Sequence, residues 1–188
     1  MSDQSTGATE SNNWDHRRTD RLVLDHVHES DIDQWHRIHA DARVWTHFPS
    51  GRHTSRDATE EFVRTSIADW HVAGLGYWSI REEPDGPIIG CGGCRLVHDL
   101  DRWNLYYRFA PECQGRGYAS EVARTAVTAA NEVDPARPVV AYMLEHNTAS
   151  WRVAERIGLI RIWVGPDEGN PDPEAVRFVY ADRPDVTI

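Results

Sequence analysis

What this chain lacks narrows its chemistry before any motif is read. No apolar run approaches the ~18 residues needed to cross a bilayer, and the polar start, Met1 to Asn13, lacks the charged-then-apolar order of a secretory leader. The expected compartment is the cytoplasm, with no membrane partner. Cysteine is scarce, three in 188 residues, which suits a reducing compartment. Positive charge is in deficit: 20 Lys and Arg against 30 Asp and Glu give a net charge of -10. That balance argues against nonspecific nucleic-acid binding and mildly favours cationic substrates, although an acidic surface often only solubilises. No mononucleotide P-loop, G-x-x-x-x-G-K-[ST], occurs, and no internal repeat or low-complexity linker interrupts the chain.

Metal and redox readings fail for want of partners. Cys91-Gly-Gly-Cys94 has no second pair to complete four zinc ligands, and it sits in a stretch that reads as a strand instead of opening a helix as a redox motif should. Buried thiols are expected there. His36 and His39 share a helix face at i, i+3, but no acidic third ligand accompanies them and ten histidines make chance pairs common. No metal is expected.

What remains suits one domain with a sizeable core, at 40% hydrophobic and 27% charged. Its most telling stretch is Pro111-Glu112-Cys113-Gln114-Gly115-Arg116-Gly117-Tyr118-Ala119-Ser120. Downstream, Ala119, Val122, Ala123, Ala126, Val127 and Ala130 form one apolar stripe at helical spacing, which predicts a helix from Tyr118 to Glu132. The glycine turn therefore lies at a helix N-terminus. Amides without intrahelical partners and the positive end of the helix dipole make such a place a site for phosphate groups. Ser120 stands where a dinucleotide turn, G-x-G-x-x-G, wants its third small residue.

Punctuation orders the rest. Arg21 to Val27 alternates as a strand, Ser30 with Asp33 resembles a capping box for a helix to about Asp41, and Ser55 to Ala73 is a helix closed by Gly74. Tyr77 to Glu82 and Ile88 to Val97 flank the hairpin signal Pro84-Asp85-Gly86, and Arg102 to Phe109 is the next antiparallel strand. After the binding helix come a short buried strand, Val139 to Leu144, and a helix, Ala149 to Ile157, stopped by Gly158. Strands Leu159 to Val164 and Ala175 to Ala181 close the sheet. Met1 to Arg17, rich in Ser, Thr, Asn and Asp, is an expected mobile tail ahead of a domain over 18–183. Exposed sheet edges make a homodimer conceivable.

Two segments carry a resemblance. Gln114, Gly117 and Ala119 match the acetyl-CoA signature [QR]-x-x-G-x-[GA] of the GNAT superfamily of N-acetyltransferases, and Asn147-Thr148-Ala149-Ser150 leading into a helix that ends at Gly158-Leu159 is similar to a second family segment. Arg18 to Leu24 followed by Glu29-Ser30-Asp31 looks like the opening of the ribosomal-protein N-acetyltransferase branch (RimJ/RimL-like), so the resemblance spans about Arg18 to Arg183. It implies an α+β fold with a mixed, mostly antiparallel sheet of about seven strands and about four helices, splayed between the fourth and fifth strands to admit pantetheine. It further implies that backbone groups of Tyr107 and Phe109 pair with the arm and that amides of Gln114, Gly115, Arg116, Gly117, Tyr118, Ala119 and Ser120 hold the pyrophosphate. Asn147 would bond the arm from the other side. The Arg116 side chain is read either as a phosphate contact or as a solvated loop arginine.

The implied chemistry is attack of a neutral amine on a thioester. An α-amine titrates near ~7.7 to 8.0, far below the ~10.4 of lysine, and needs less help from a base. The glutamate and tyrosine that many family members use are replaced here by Asn104 and Ala154. The branch resemblance makes Ser150 the candidate for thiolate departure, a role that could coexist with capping its helix. For the base, Glu145, Asp101, His47 or a water chain are open. Trp45, Phe48 and Trp78 are candidate walls of an amine pocket, with core packing as the alternative. The expected function is acetyl-CoA-dependent acetylation of a primary amine, favouring a protein or peptide α-amine. A polyamine, aminoglycoside or amino acid is the enzymatic alternative, and a weakly turning-over acyl-CoA-binding regulatory module the other.

Overall fold

The computed structural model describes residues 14–188. Short polar-flanked strands and two long amphipathic helices assemble into one sheet covered on both faces. Strands β1 (His16–Arg18), β2 (Val23–His26), β3 (Tyr77–Arg81), β4 (Gly90–Val97), β5 (Arg102–Phe109), β6 (Val139–Leu144), β7 (Ile160–Pro166) and β8 (Val176–Ala181) lie in the order β1-β2-β3-β4-β5-β6-β8-β7. All neighbours are antiparallel except β5 and β6. Helices α1 (Ile32–His39), α2 (Arg56–Ala73), α3 (Tyr118–Val133) and α4 (Thr148–Arg156) fill the connections. The expected α+β class, the four helices and the antiparallel bias are present. The sheet holds eight strands, and the parallel pair is the fifth and sixth.

The added strand is β1. Of the expected tail, 1–13 lies outside the described residues, but Trp14 is buried and Arg17 pairs with Leu24, so the boundary expected after residue 17 falls inside a strand. The capping expectation also shifts by two, onto the 3-10 turn Glu29–Asp31 that leads into α1: the Asp31 carboxylate, not that of Asp33, accepts from the His28 amide at 3.1 Å. At α2 the punctuation acts as read. The Ser55 hydroxyl accepts from the Ala58 amide at 3.3 Å, and Gly74 ends the helix in the left-handed conformation at φ 69°.

Alternation along β5 sorts the layers. Tyr106 faces α1 and α2, meeting His39 and Phe62, whereas Phe109 packs on Tyr118 of α3 and Tyr107 reaches α4. Core side chains fill both layers, with Trp35, Trp78 and Trp103 fully enclosed. Cys91 and Cys94 lie in this core on β4, and burial pushes the Cys91 thiol up to about 12, so both remain protonated packing groups. His36 and His39 do not converge: His36 bonds Thr59 at 2.8 Å and His39 donates to the Trp35 carbonyl. Among the described residues no three metal-ligating side chains are gathered.

Candidate active site

The sheet is complete everywhere except along β5 and β6. Those strands pair only at Trp103 with Val139 and Asn104 with Val140, then diverge. The Trp103 amide donates to Pro138 on the β6 side at 2.9 Å. Strand periodicity then aims the main-chain groups of Leu105, Tyr107 and Phe109 into the gap. The Gln114 side chain occupies one of them, donating to the Phe109 carbonyl at 3.1 Å. The gap opens into a cleft of about 810 Å³.

One end of the cleft is the start of α3. Gly115 and Gly117 take positive φ, 74° and 82°, and Gly117 is the helix N-cap with no side chain satisfying the first-turn amides. A Cβ at Gly115 would meet nothing within 4 Å, so the turn stands in open space at that residue. Glu121, the acid of the first turn, is held by Thr19 at 2.6 Å and by the Arg21 amide and guanidinium. The end stays available to an anion. Gly117→Ala is expected to cost about 1–2 kcal/mol of unfolding free energy for its left-handed backbone, measurable by urea denaturation.

The α4 wall comes next. Asn147, not Ser150, caps α4: its side-chain oxygen accepts from the Ser150 amide at 3.4 Å. Ser150 is half-buried on the cleft wall, and its carbonyl accepts from the Tyr107 hydroxyl at 3.2 Å. Burial raises that phenol to about 12. Arg152 and Arg156 line the same wall, Arg156 donating to Ser120 at the start of α3.

The opposite half is roofed by residues 42–51 and by the β7–β8 connection. His47 and Phe48 line it, and His146 donates to the His47 carbonyl at 2.8 Å, tying the roof to the β6–α4 turn. Burial first, then the nearby Arg108 and His146, lower His47 to about 4, so it is neutral at pH 7. Arg177 ion-pairs Asp167 here, and Arg108 projects under the roof from β5.

The structure thus brings Tyr107, Phe109, Gln114, Gly115, Gly117, Tyr118, Ala119, Ser120, Asn147, Ser150, His47 and Phe48 to one cleft. Five sequence candidates lie elsewhere. Arg116 turns back to Glu82 at 2.9 Å. Glu145 is exposed outside the cleft lining, and Asp101 pairs with Arg137 at the far end of β5. Trp45 is buried beneath the roof with its indole N–H on the His39 carbonyl at 2.6 Å, and Trp78 is core on β3. Asn104 donates to the buried Tyr77 hydroxyl at 3.1 Å, an amide where a carboxylate base would be expected. Residues the sequence reading passed over are Tyr106, Arg108, His146, Arg152, Arg156 and Arg177, whereas Asp167 lies in the stretch Gly165 to Glu174 that the sequence offers as a pocket wall. Only Arg152 and Arg156 had a legible signal, their i, i+4 spacing on the helix after Asn147.

A strand pair that splays beside a glycine-capped helix is matched by sequence comparison: the acetyltransferase (GNAT) domain family aligns with residues 21–160. The chain belongs to the GNAT acetyltransferase family. Solved structures agree on the fold. A GnaT-family acetyltransferase from Bordetella pertussis superimposes with a TM-score of 0.75 at 20% identity, covering 89% of this chain and 99% of that one. An acetyltransferase from Agrobacterium tumefaciens gives 0.70 at 27% identity, covering 88% and 93%. The ribosomal alpha-N-protein acetyltransferase RimL in complex with coenzyme A gives 0.71 at 20% identity, covering 87% and 94%. This GNAT protein is accordingly an acyltransferase by family, and no helix among its described residues is long and apolar enough to cross a membrane.

Proposed function

We propose that this GNAT protein transfers the acetyl group of acetyl-CoA to a primary amine by direct attack on the thioester, with a protein or peptide α-amine as acceptor. The observation that carries the reading is the divergence of β5 from β6 beside the uncapped start of α3. The main-chain groups of Leu105 and Tyr107 are spaced to pair with an extended amide-bearing arm, as a sheet edge pairs with a strand. Amides of Gly117, Tyr118, Ala119 and Ser120, with Arg152 and Arg156, supply the positive field for its phosphates. Asn147 closes the arm from α4.

The amine enters under the roof. It must arrive neutral, and an α-amine is partly so at pH 7.5 without a strong base. That suits a cleft whose titratable candidate, His47, is neutral but weakly basic. Nitrogen attack places charge on the carbonyl oxygen, where an edge amide of β5 can donate. Collapse expels the thiolate, and on this reading the hydroxyl of Ser150, a residue of the cleft lining, hydrogen-bonds it before the amine's surplus proton reaches sulfur through solvent. The RimJ/RimL-like likeness, a cytoplasmic location and an acetyltransferase unit that runs to about residue 183 and takes in β1 at its start belong to the same reading.

The test is acetyl-CoA consumption with free-thiol release across peptides with free N-termini, lysine side-chain amines, polyamines and aminoglycosides. Turnover on the α-amine class is expected, and Ser150→Ala should lower kcat roughly tenfold, the worth of one hydrogen bond to a charged group, with the KM for acetyl-CoA unchanged. Asn104 bonded to Tyr77 and Ala154 in place of an acid favour a second reading, an acyl-CoA-binding regulatory module. Tight acetyl-CoA binding with no thiol release from any amine would establish that reading instead.

A further inference from the structure

The charges lining the cleft run against those of the whole chain. In a protein of net charge -10, the lining carries Arg43, Arg108, Arg152, Arg156 and Arg177 but one carboxylate, Asp167. Sorting these cations by partner leaves one unexplained. Arg43 is bound by Asp41 and Glu112, and Arg177 by Asp167. Arg152 and Arg156 lie on α4 next to the start of α3, where phosphates would sit. Arg108 has no carboxylate within 4.0 Å among the described residues, and it lies on the other side of the sheet.

Strand parity fixes that side. Leu105, Tyr107 and Phe109 turn their side chains toward α3 and α4, whereas Asn104, Tyr106 and Arg108 turn theirs toward α1, α2 and the roof. Arg108 therefore faces the acceptor half. It is also held in place without being neutralised. Its Nε donates to the Tyr106 hydroxyl at 2.7 Å, its Nη1 donates to the Val44 carbonyl at 3.0 Å, and its guanidinium lies 3.5 Å from the centroid of the Trp45 ring. The Tyr106 hydroxyl is itself committed, because His39 spends its Nδ1 proton on the Trp35 carbonyl and so offers Nε2 as acceptor to Tyr106 at 3.2 Å. Every contact of Arg108 is thus with a neutral group, and its Nη2 has no partner among the described residues. A planar, stacked, two-point-anchored guanidinium with one free edge is a preorganised anion donor.

Resting on the acetyltransferase reading above, we propose that Arg108 binds a carboxylate of the acceptor, so that the favoured substrate is an α-amine with a carboxylate carbon two to four bonds away. A peptide beginning with Asp or Glu and a free amino acid both present that chemistry. Polyamines and aminoglycosides do not, and the same cation repels them. The acidic surface of the chain therefore does not describe its substrate: selection is made inside the cleft, where the sign is reversed.

The experiment measures binding to the protein saturated with coenzyme A and, in parallel, kcat/KM with acetyl-CoA. The probes are peptides that differ only in a first residue of Asp, Asn or Lys, with free aspartate against free asparagine-amide as a second arm. The Asp peptide or free aspartate should bind roughly tenfold to a hundredfold more tightly than its uncharged counterpart, the scale of a charge-assisted hydrogen bond. Arg108→Gln should abolish that ratio, and Arg108→Lys should keep part of it. Because Arg108 also supports the roof, an unchanged acetyl-CoA KM and urea midpoint certify the variants. Equal affinities in the parent protein, or a preference that survives Arg108→Gln, would overturn the proposal. Carboxylate-selective binding without thiol release would instead sink the acetyl-transfer reading and leave this one standing.

Discussion

Between pH 6.5 and pH 4 the protein is expected to lose roughly 3 kcal/mol of unfolding free energy through His39 alone. The ring is fully enclosed, stacked 4.7 Å from His53, with Nδ1 donating to Trp35 and Nε2 facing the Tyr106 hydroxyl. Burial, aided by the positive charge of Arg108 and the neighbouring His53, lowers its pKa to about 3. In the unfolded chain the same ring titrates near ~6.5. Below that pH the unfolded state takes up a proton that the folded state refuses, so stability is complete above about 6.5 and falls until about 3. His47, His26 and His53 are lowered for the same reason and steepen the loss. Half-buried Asp69, whose carboxyl is raised by burial, works in the opposite direction, but in the carboxylate range. The window from 6.5 to about 5 belongs to the histidines. Urea denaturation at pH 7.5, 6, 5 and 4 measures it, and His39→Gln should lower stability at pH 7.5 while flattening the slope. A parallel slope in that variant would mean that His39 is not the group responsible.

Trp78→Ala should remove about 3–5 kcal/mol, the cost of truncating an enclosed tryptophan, and lower Tm by roughly 10 °C in a chain of this size. The indole is fully buried on β3, donates to the Trp14 carbonyl at 2.8 Å, and packs on Trp14 and Trp70 with centroids 6.5 and 6.0 Å away. The milder Trp78→Phe separates packing from recognition. Scanning calorimetry should show it destabilised, while the KM for the amine stays that of the parent protein. A change in acceptor KM without a change in Tm would return Trp78 to the pocket wall that its sequence position first suggested.

Trp78 shows where sequence reading stops. Periodicity placed Tyr77 to Glu82 on a strand and hence Trp78 within it, but its enclosure depends on Trp14, 64 residues away in the chain, and on Trp70 of α2. Helix α3 and its glycine turn were legible because the signal is local: an apolar stripe, two glycines, and no need of any partner. The stop at Gly74 was legible for the same reason. Strand β1 was not, since His16–Arg18 carries no apolar alternation and exists through pairing with β2. At the site, the residues that surround a main-chain feature, Gln114 to Ser120 and Asn147, could be placed by motif. Arg108 could not. Its meaning lies in having only neutral partners among the described residues, and which groups surround a side chain is written only in three dimensions.

The β5–β6 gap has one more consequence. An unpaired strand edge normally invites another chain, and proteins blunt such edges at their rims. Here two raw edges face each other in the interior, flanked by α3 and α4. An intruding polypeptide strand would have to bring side chains at every residue, alternately above and below the sheet, into layers already filled by Tyr107, Phe109 and Val153 on one side and Tyr106 and Arg108 on the other. A thin chain that carries amides but no side chains escapes that clash. The side chains that flank the slot above and below therefore favour a slender ligand over a polypeptide strand at this edge.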